Sequence, residues 1–328
     1  MSVTAPDSDV ATAPTSQSAD RARLMVLVAS LAFAALLAVA AATTSGFLTG
    51  GNLKSVLLSS AFVGIIAVGM TPITIGGNLF SLSLGITAAV CAMAFTYLLR
   101  LGFAEAVLLA LALGTVACAL QGWIVGAWGA NPIIVTIAAG LLQGALATWL
   151  SGGATVSPPN GASFHVLTTS PFGFAFPIYA FVGATLVVET ILRRTRFGRE
   201  LYLVGDSKLA ARAAALNISR IATAAFAISG LCAAAAGILL ASTYDTATLN
   251  LQGNYSYDAI AAVLVGGTTV AGGRGSALRS FLGAVVIAAV TSIALLRGYS
   301  TGMQVLITGV ILLGVIVLAH ISTSRRSR

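Results

Sequence analysis

The chain has 328 residues, of which 58% are hydrophobic and only 8% charged, and its mean hydropathy is +0.98. A soluble domain carries about a quarter charged residues, so a water-soluble fold is excluded, having nowhere to bury this much apolar surface. The net charge of +8 does not point to nucleic acid, because the basic residues lie between and beside apolar runs, where they act as topology signals.

In chain order, residues 1–22 form a polar stretch rich in Ala, Ser, Thr, Pro and Asp, too poor in large apolar side chains to fold alone and expected as a disordered cytoplasmic tail. The long polar leader argues for an uncleaved first helix rather than a signal peptide. Apolar runs bounded by Gly, Pro, Asn or charge follow at 24–43, 53–75, 81–99, 103–127, 132–150, 177–192, 218–241, 257–271, 279–296 and 302–320. A crossing needs roughly 20 apolar residues for about 30 Å of hydrocarbon. The expectation is therefore an all-α polytopic membrane protein of about ten transmembrane helices, with residues 23–321 as one domain and 322–328 as a basic cytoplasmic tail. With the N-terminus inside, Lys54, Arg100 and Arg297 fall outside and the other 14 of the 17 Lys and Arg residues fall inside. That asymmetry has the sign topogenesis favours and places both termini in the cytoplasm.

Two connections exceed the short ones. Residues 151–176 hold no Lys, Arg, Asp or Glu but carry Pro158, Pro159, Asn160, Gly161 and Pro171, as an exported periplasmic loop with turns would. Residues 193–217 mix basic side chains with Glu200 and Asp206 and are expected in the cytoplasm. Their Ala-rich part from Ser207 to Asn217 favours a short helix outside the bilayer, where a soluble partner could dock.

Enzymatic and nucleotide chemistry find no support. Leu53 stands where a phosphate loop ending at Lys54 and Ser55 needs glycine, and Leu278 occupies the third glycine position of a dinucleotide fingerprint at Gly273 and Gly275. No paired carboxylates, His cluster or Ser/Lys dyad sits at catalytic spacing. Cys91, Cys118 and Cys232 lie in apolar runs without metal-ligand spacing, so no metal site is expected. Of the acidic residues, only Glu105, Glu189 and Asp258 touch the runs, each near an end. They read as solvated or interfacial groups, not as ion-coupling sites buried in the bundle.

The polar residues left inside the runs are neutral. Gly76, Gly77 and Asn78 interrupt an apolar stretch before Ser81 and Ser83, and Asn131 opens a run with Thr136 about one turn on. They could line a broken-helix path or allow close packing, and the residues leave both open. Gln121 and Gln143 are buried amides that need partners. Gly266, Gly267, Gly273 and Gly275 around Arg274 form a second glycine-rich break.

Four blocks together resemble the permease subunits of bacterial ABC importers for ribose, xylose and galactose, relatives of the branched-chain amino acid permeases. TRFGRELYLVGDSKLAARAAALN, Thr195 to Asn217, is similar to that family's coupling loop, T-x-F-G-R-x-[LIY]-Y-A-[VI]-G followed by E-A-A-x-R-x-x-G-[IV]. IAAVLVGGTTVAGGRGSALRSFLG, Ile260 to Gly283, is similar to A-x-[VIL]-x-G-G-T-x-x-x-G-G-x-G. GGNLFSLSLG from Gly76 and the segment from Asn131 to Gly153 are weaker matches to G-G-I-D-L-S-V-G and a P-F-I-x-T-L stretch.

The resemblance implies a type II ABC importer-like bundle in the bacterial inner membrane. It implies a second permease chain in a homo- or heterodimer, a periplasmic substrate-binding protein, and ATPase subunits that carry the ATP and Mg, so that this chain binds no cofactor. ATPase coupling would fall to Thr195, Phe197, Gly198, Arg199, Tyr202, Gly205, Lys208, Ala210, Ala211 and Arg212. The solute would be a monosaccharide or related polyol, with a branched-chain amino acid or nucleoside as alternatives. A self-contained secondary transporter is the rival class. Lys208 replaces the Glu of E-A-A, Ala215 replaces its glycine, and Ser81 aligns with the Asp of D-L-S-V-G.

Overall fold

Eleven helices order the described part of the chain. The structure, a computed structural model, describes residues 38–39, 41–159, 167, 173–249 and 254–324. The expected tail 1–22, most of the run 24–43 and of the 322–328 tail, and residues 160–166 and 168–172 of the 151–176 loop lie outside those residues. The helices are α1 (Gly50–Ile75), α2 (Leu84–Leu98), α3 (Phe103–Trp128), α4 (Pro132–Ser151), α5 (Phe176–Arg194), α6 (Arg196–Asp206), α7 (Lys208–Ala213), α8 (Ile218–Tyr244), α9 (Tyr255–Val265), α10 (Ala277–Leu296) and α11 (Thr301–Ser324). Among the described residues there is no strand beyond one isolated bridge, Val156 to Ala247.

Nine of the ten apolar runs meet one of these helices, and the described end of the first run, 38–39 and 41–43, is helical too, because the residues that ended the runs are the residues that end helices. Asn131 caps α4, its Oδ1 accepting from Ile133 N at 2.9 Å, with Pro132 at the first helical position. Asn217 caps α8 in the same way, accepting from Arg220 N at 3.0 Å. Six helices, α1, α3, α4, α5, α8 and α10, are long and apolar enough to cross a membrane. Among the other helices, α2 has 15 residues and α9 has 11. At 1.5 Å per residue they reach about 22 Å and about 16 Å, short of the roughly 30 Å of hydrocarbon. The run expected over 257–271 is therefore a short helix followed by a glycine break.

The core sits on α1, whose apolar window is 83% buried and which packs against α5, α8, α9 and α10. Helices α3 and α4 lie outermost, with leucines and tryptophans such as Leu141, Leu142 and Trp149 exposed, as lipid-facing helices need. Lipid tails are as apolar as leucine, so helices here associate by close packing of small residues. The α3 to α8 contact shows this. Gly114, Cys118, Gly122 and Gly126 recur every fourth residue on α3 and meet Ala222, Phe226, Gly230 and Ala234 on α8. A Cβ on Gly230 would run into the Gly114 carbonyl, and one on Gly114 would lie 2.9 Å from Gly230 O.

Gly230→Val is expected to destabilise the bundle by about 1–3 kcal/mol, the usual cost of overpacking, seen as a lower melting temperature in detergent. Gly183→Ala, on α5 where an added Cβ meets nothing within 4 Å, should leave it unchanged or slightly raised, since alanine favours helix. Equal melting temperatures for both variants would contradict the packing described for α3 and α8.

Candidate functional site

The charged loop after α5 folds into two helices where the sequence suggested one. Thr195 caps α6: its Oγ1 accepts from Gly198 N at 3.2 Å and donates to Ile191 O at 2.6 Å. Gly198 is required there, since any Cβ would collide with the Leu192 carbonyl. Ser207 caps α7 by accepting from Ala210 N at 3.2 Å. The α7 helix closes with Leu216 N donating to Ala211 O and Ala215 N to Arg212 O, both at 3.0 Å, the paired bonds of a Schellman motif. That motif needs a left-handed residue, and Ala215 stands in it at φ 56°. The family pattern has glycine at this position, so the departure has a backbone cost.

Three segments far apart in sequence converge on this loop. Gly205 lies against the end of α1, where a Cβ would collide with Ile75 O and approach Gly273 N to 2.5 Å. Gly273 N donates to the same Ile75 O at 2.8 Å, and a Cβ on Gly272 would lie 2.7 Å from Gly77 Cα. Tyr202 donates its hydroxyl to Gly275 O at 2.8 Å, and Lys208 Nζ reaches Asn78 Oδ1 at 3.4 Å. Burial first, and Glu189 next, push the Tyr202 phenol upward, which keeps the proton it donates. Both glycine-rich breaks thus meet the 193–217 loop backbone to backbone, and Gly76, Gly77 and Asn78 belong to this junction.

The remaining loop residues divide by exposure. Phe197 packs against the core and Ala211 is buried, whereas Arg199, Lys208, Ala210 and Arg212 face outward with Leu203 and Leu209, the last 81% exposed. Arg274 is exposed, and Gly266 packs against the Arg279 backbone, with Gly267 following at φ 79°.

Glu189, read from sequence as a solvated or interfacial group, is 7% exposed. Its carboxylate accepts from Ala277 N at 2.7 Å, Leu278 N at 3.3 Å and Ser276 Oγ at 3.0 Å, and it pairs with Arg193 one turn on. Ser276 makes no cap of its own to α10, so the carboxylate from α5 caps α10 at its positive end. Nothing in the spacing of Glu189 announced this, because its partner segment lies almost ninety positions away.

A second cluster lies where α2 begins. Ser81 and Ser83 hydroxyls meet at 3.1 Å, Ser83 Oγ donates to Gln121 Oε1 at 2.8 Å, and Leu82 N donates to Thr136 Oγ1 at 3.3 Å. Ser256, in the first turn of α9, accepts from Gly85 N at 2.9 Å and donates to Leu82 O at 3.2 Å. Thr87 donates to Gln143 Oε1 at 2.8 Å. Ser81, Ser83 and Thr136 are fully buried. Asn131, grouped with them from sequence, is an exposed helix cap and stays apart. Sequence reasoning did not bring Ser256 in, since a lone serine near a run's start carries no signal. Among the described residues, no group of three or more His, Cys, Asp or Glu could hold a metal ion.

Apolar helices around a buried neutral cluster, with an amphipathic loop keyed into the ends of two interrupted helices, define a membrane transport protein. Residues 52–316 match the family described as branched-chain amino acid transport system / permease component, and the chain belongs to that family. It is similar to the autoinducer 2 import system permease protein LsrC of Enterobacter sp. (strain 638), 32% identical over 89% of this chain and 85% of the relative. It is also similar to the ribose import permease protein RbsC of Escherichia coli (strain K12), 28% identical over 89% and 93% of the two chains. No solved structure matches it.

Ala215→Gly relieves the left-handed strain and is expected to stabilise the loop by about 1 kcal/mol. Slower hydrogen exchange at Ala215 and Leu216, whose amides close α7, would show it. Faster exchange there would contradict the assigned turn.

Proposed function

We propose that the chain is the transmembrane permease subunit of an ATP-binding-cassette importer and forms half of the path for a monosaccharide or related polyol. In this reading it makes ten passes through a bacterial inner membrane with both termini in the cytoplasm, the short helices α2 and α9 each completing a pass together with non-helical backbone beside them. One domain, 23–321, follows the 1–22 tail and precedes the 322–328 tail. A second permease chain, homo- or heteromeric, completes the path, and a periplasmic substrate-binding protein delivers solute near the 151–176 loop. ATPase subunits hold the ATP and Mg and dock on the 193–217 loop. Among its relatives, one is named for ribose import and another for autoinducer 2 import, which favours a small neutral solute. The uncharged cluster at Ser81, Ser83 and Thr136 supports the same class.

The observation that carries the reading is the backbone contact of Gly205 with Ile75 and Gly273. A loop that merely linked two spans would have no reason to pack against two helix breaks without intervening side chains. An ATPase gripping the exposed Arg199, Leu203, Leu209 and Arg212 would move the ends of α1, α9 and α10 with it. Thr195, Phe197, Gly198, Tyr202, Ala210 and Ala211 shape that grip, and Lys208 ties it to Asn78.

Arg212 is exposed, so Arg212→Glu should leave the chain in the membrane at normal levels. In vesicles with the ATPase and binding protein, ATP-driven uptake of labelled D-ribose should fall at least tenfold. Normal uptake by this variant would remove the coupling assignment. Uptake by the unmodified chain alone, on an ion gradient without the ATPase, would revive the secondary transporter.

A further inference from the structure

Gln121 is 3% exposed, yet its amide nitrogen Nε2 has no hydrogen-bond partner. A buried, unpaired amide in a bundle surrounded by hydrocarbon is costly, and most such groups are answered by protein or water. Turning the amide over exchanges donor for acceptor but still leaves one end without a partner. Its engaged end holds Ser83 Oγ at 2.8 Å. Ser83 is the N-cap residue of α2, and its side chain makes no capping bond to that helix. Its hydroxyl is turned toward Gln121 and Ser81 instead.

This place is also where two short helices start. Ser256, in the first turn of α9, bonds both Leu82 O and Gly85 N, so the positive ends of α2 and α9 meet beside the free amide. Interrupted helices whose N-termini converge inside a bundle recur in transporters as solute sites. Ser81, Ser83, Gln121, Thr136 and Ser256 are all neutral, so the site offers donors and acceptors without a fixed charge. A hydroxyl, which can both give and take a hydrogen bond, satisfies the amide in either orientation. A carboxylate or ammonium would lie in this buried place without an ion partner in the cluster.

We infer that Gln121 with Ser83 forms a subsite for a hydroxyl group of a neutral polyhydroxylated solute, closed on itself in the present conformation. This rests on the importer reading and deepens it by naming a residue of the path and the solute group it reads. When the solute arrives, one of its hydroxyls accepts from the free Gln121 Nε2 while Ser83 keeps its bond to Oε1, so both ends of the amide are partnered. Gln143, whose amide is already engaged by Thr87, has no such role.

The test uses the complete importer in vesicles, with D-ribose as the probe. Gln121→Met keeps the length of the side chain and removes the amide. The chain should remain in the membrane, and ATP hydrolysis stimulated by the loaded binding protein should stay within twofold. D-ribose uptake should fall at least tenfold, while Gln143→Met stays within twofold. Uptake within twofold for Gln121→Met would mean that the amide holds only ordered water, and would overturn the inference. Equal losses for the two methionine variants would make both glutamines interhelical glue and would overturn it as well. Should the methionine variant fail to insert, Gln121→Asn draws the amide back by one methylene and should cut uptake at least fivefold; unchanged uptake overturns the proposal. If the unmodified importer takes up neither D-ribose nor any other neutral sugar, the importer reading falls and takes this subsite with it.

Discussion

Hydrocarbon offers a polypeptide nothing to hydrogen-bond with, so wherever this chain leaves the helix inside its bundle another segment must supply the missing partners. Much of the architecture follows from that constraint. The stretch from Gly76 to Ser83 separates α1 from a helix too short to span, and its exposed amides and carbonyls are met by Thr136 and Ser256. The stretch from Gly266 to Ser276 separates α9 from α10, and it is met by Ile75, Tyr202 and Glu189. Each break is therefore fastened to helices that are distant in sequence.

Glycine makes the fastening rigid. At Gly205, Gly272 and Gly273 the contacts are between backbones, with no side chain to slide or repack. Glu189 adds a second hold, since it leaves α5 one turn before the charged loop and caps the first turn of α10. The end of α5 and the loop after it are thus tied to the end of α1 by Gly205 and to the start of α10 by Tyr202 and Glu189. The polar cluster at the start of α2 lies at the other end of the same break, so a displacement of residues 75–78 reaches it along only a few residues of chain.

The helices were legible because hydrophobic length and terminators are local properties. Asn131 with Pro132 and the glycines after Ile75 marked boundaries that the structure keeps within a few residues. The α6 helix was not legible as a helix, since its charges masked the buried side of Gly198, Leu201 and Val204. Burial of Glu189 and recruitment of Ser256 depend on partners about ninety and more than 170 positions away, and no spacing rule reports such distances. Gly76, Gly77 and Asn78 carried a true signal of a break, but what the break touches was not written in their neighbourhood. At Ala215 the sequence shows only a departure from the family's glycine, and the left-handed turn behind it is visible in the fold alone.

The central claim is that the 193–217 loop and the two helix breaks move as one body. A Cβ built on Gly273 lies 3.3 Å from the Asp206 Cβ but also 3.0 Å from its Cα, at φ 72°, so a disulfide there needs a small backbone shift. In a chain whose three buried cysteines are replaced, Asp206→Cys with Gly273→Cys should still cross-link under mild oxidation. Uptake by the fully assembled importer should then continue within about twofold of the reduced protein, since a rigid junction loses nothing by being locked. Cross-linking that abolishes uptake, with recovery on reduction, would show that the junction opens in each cycle and would contradict the claim.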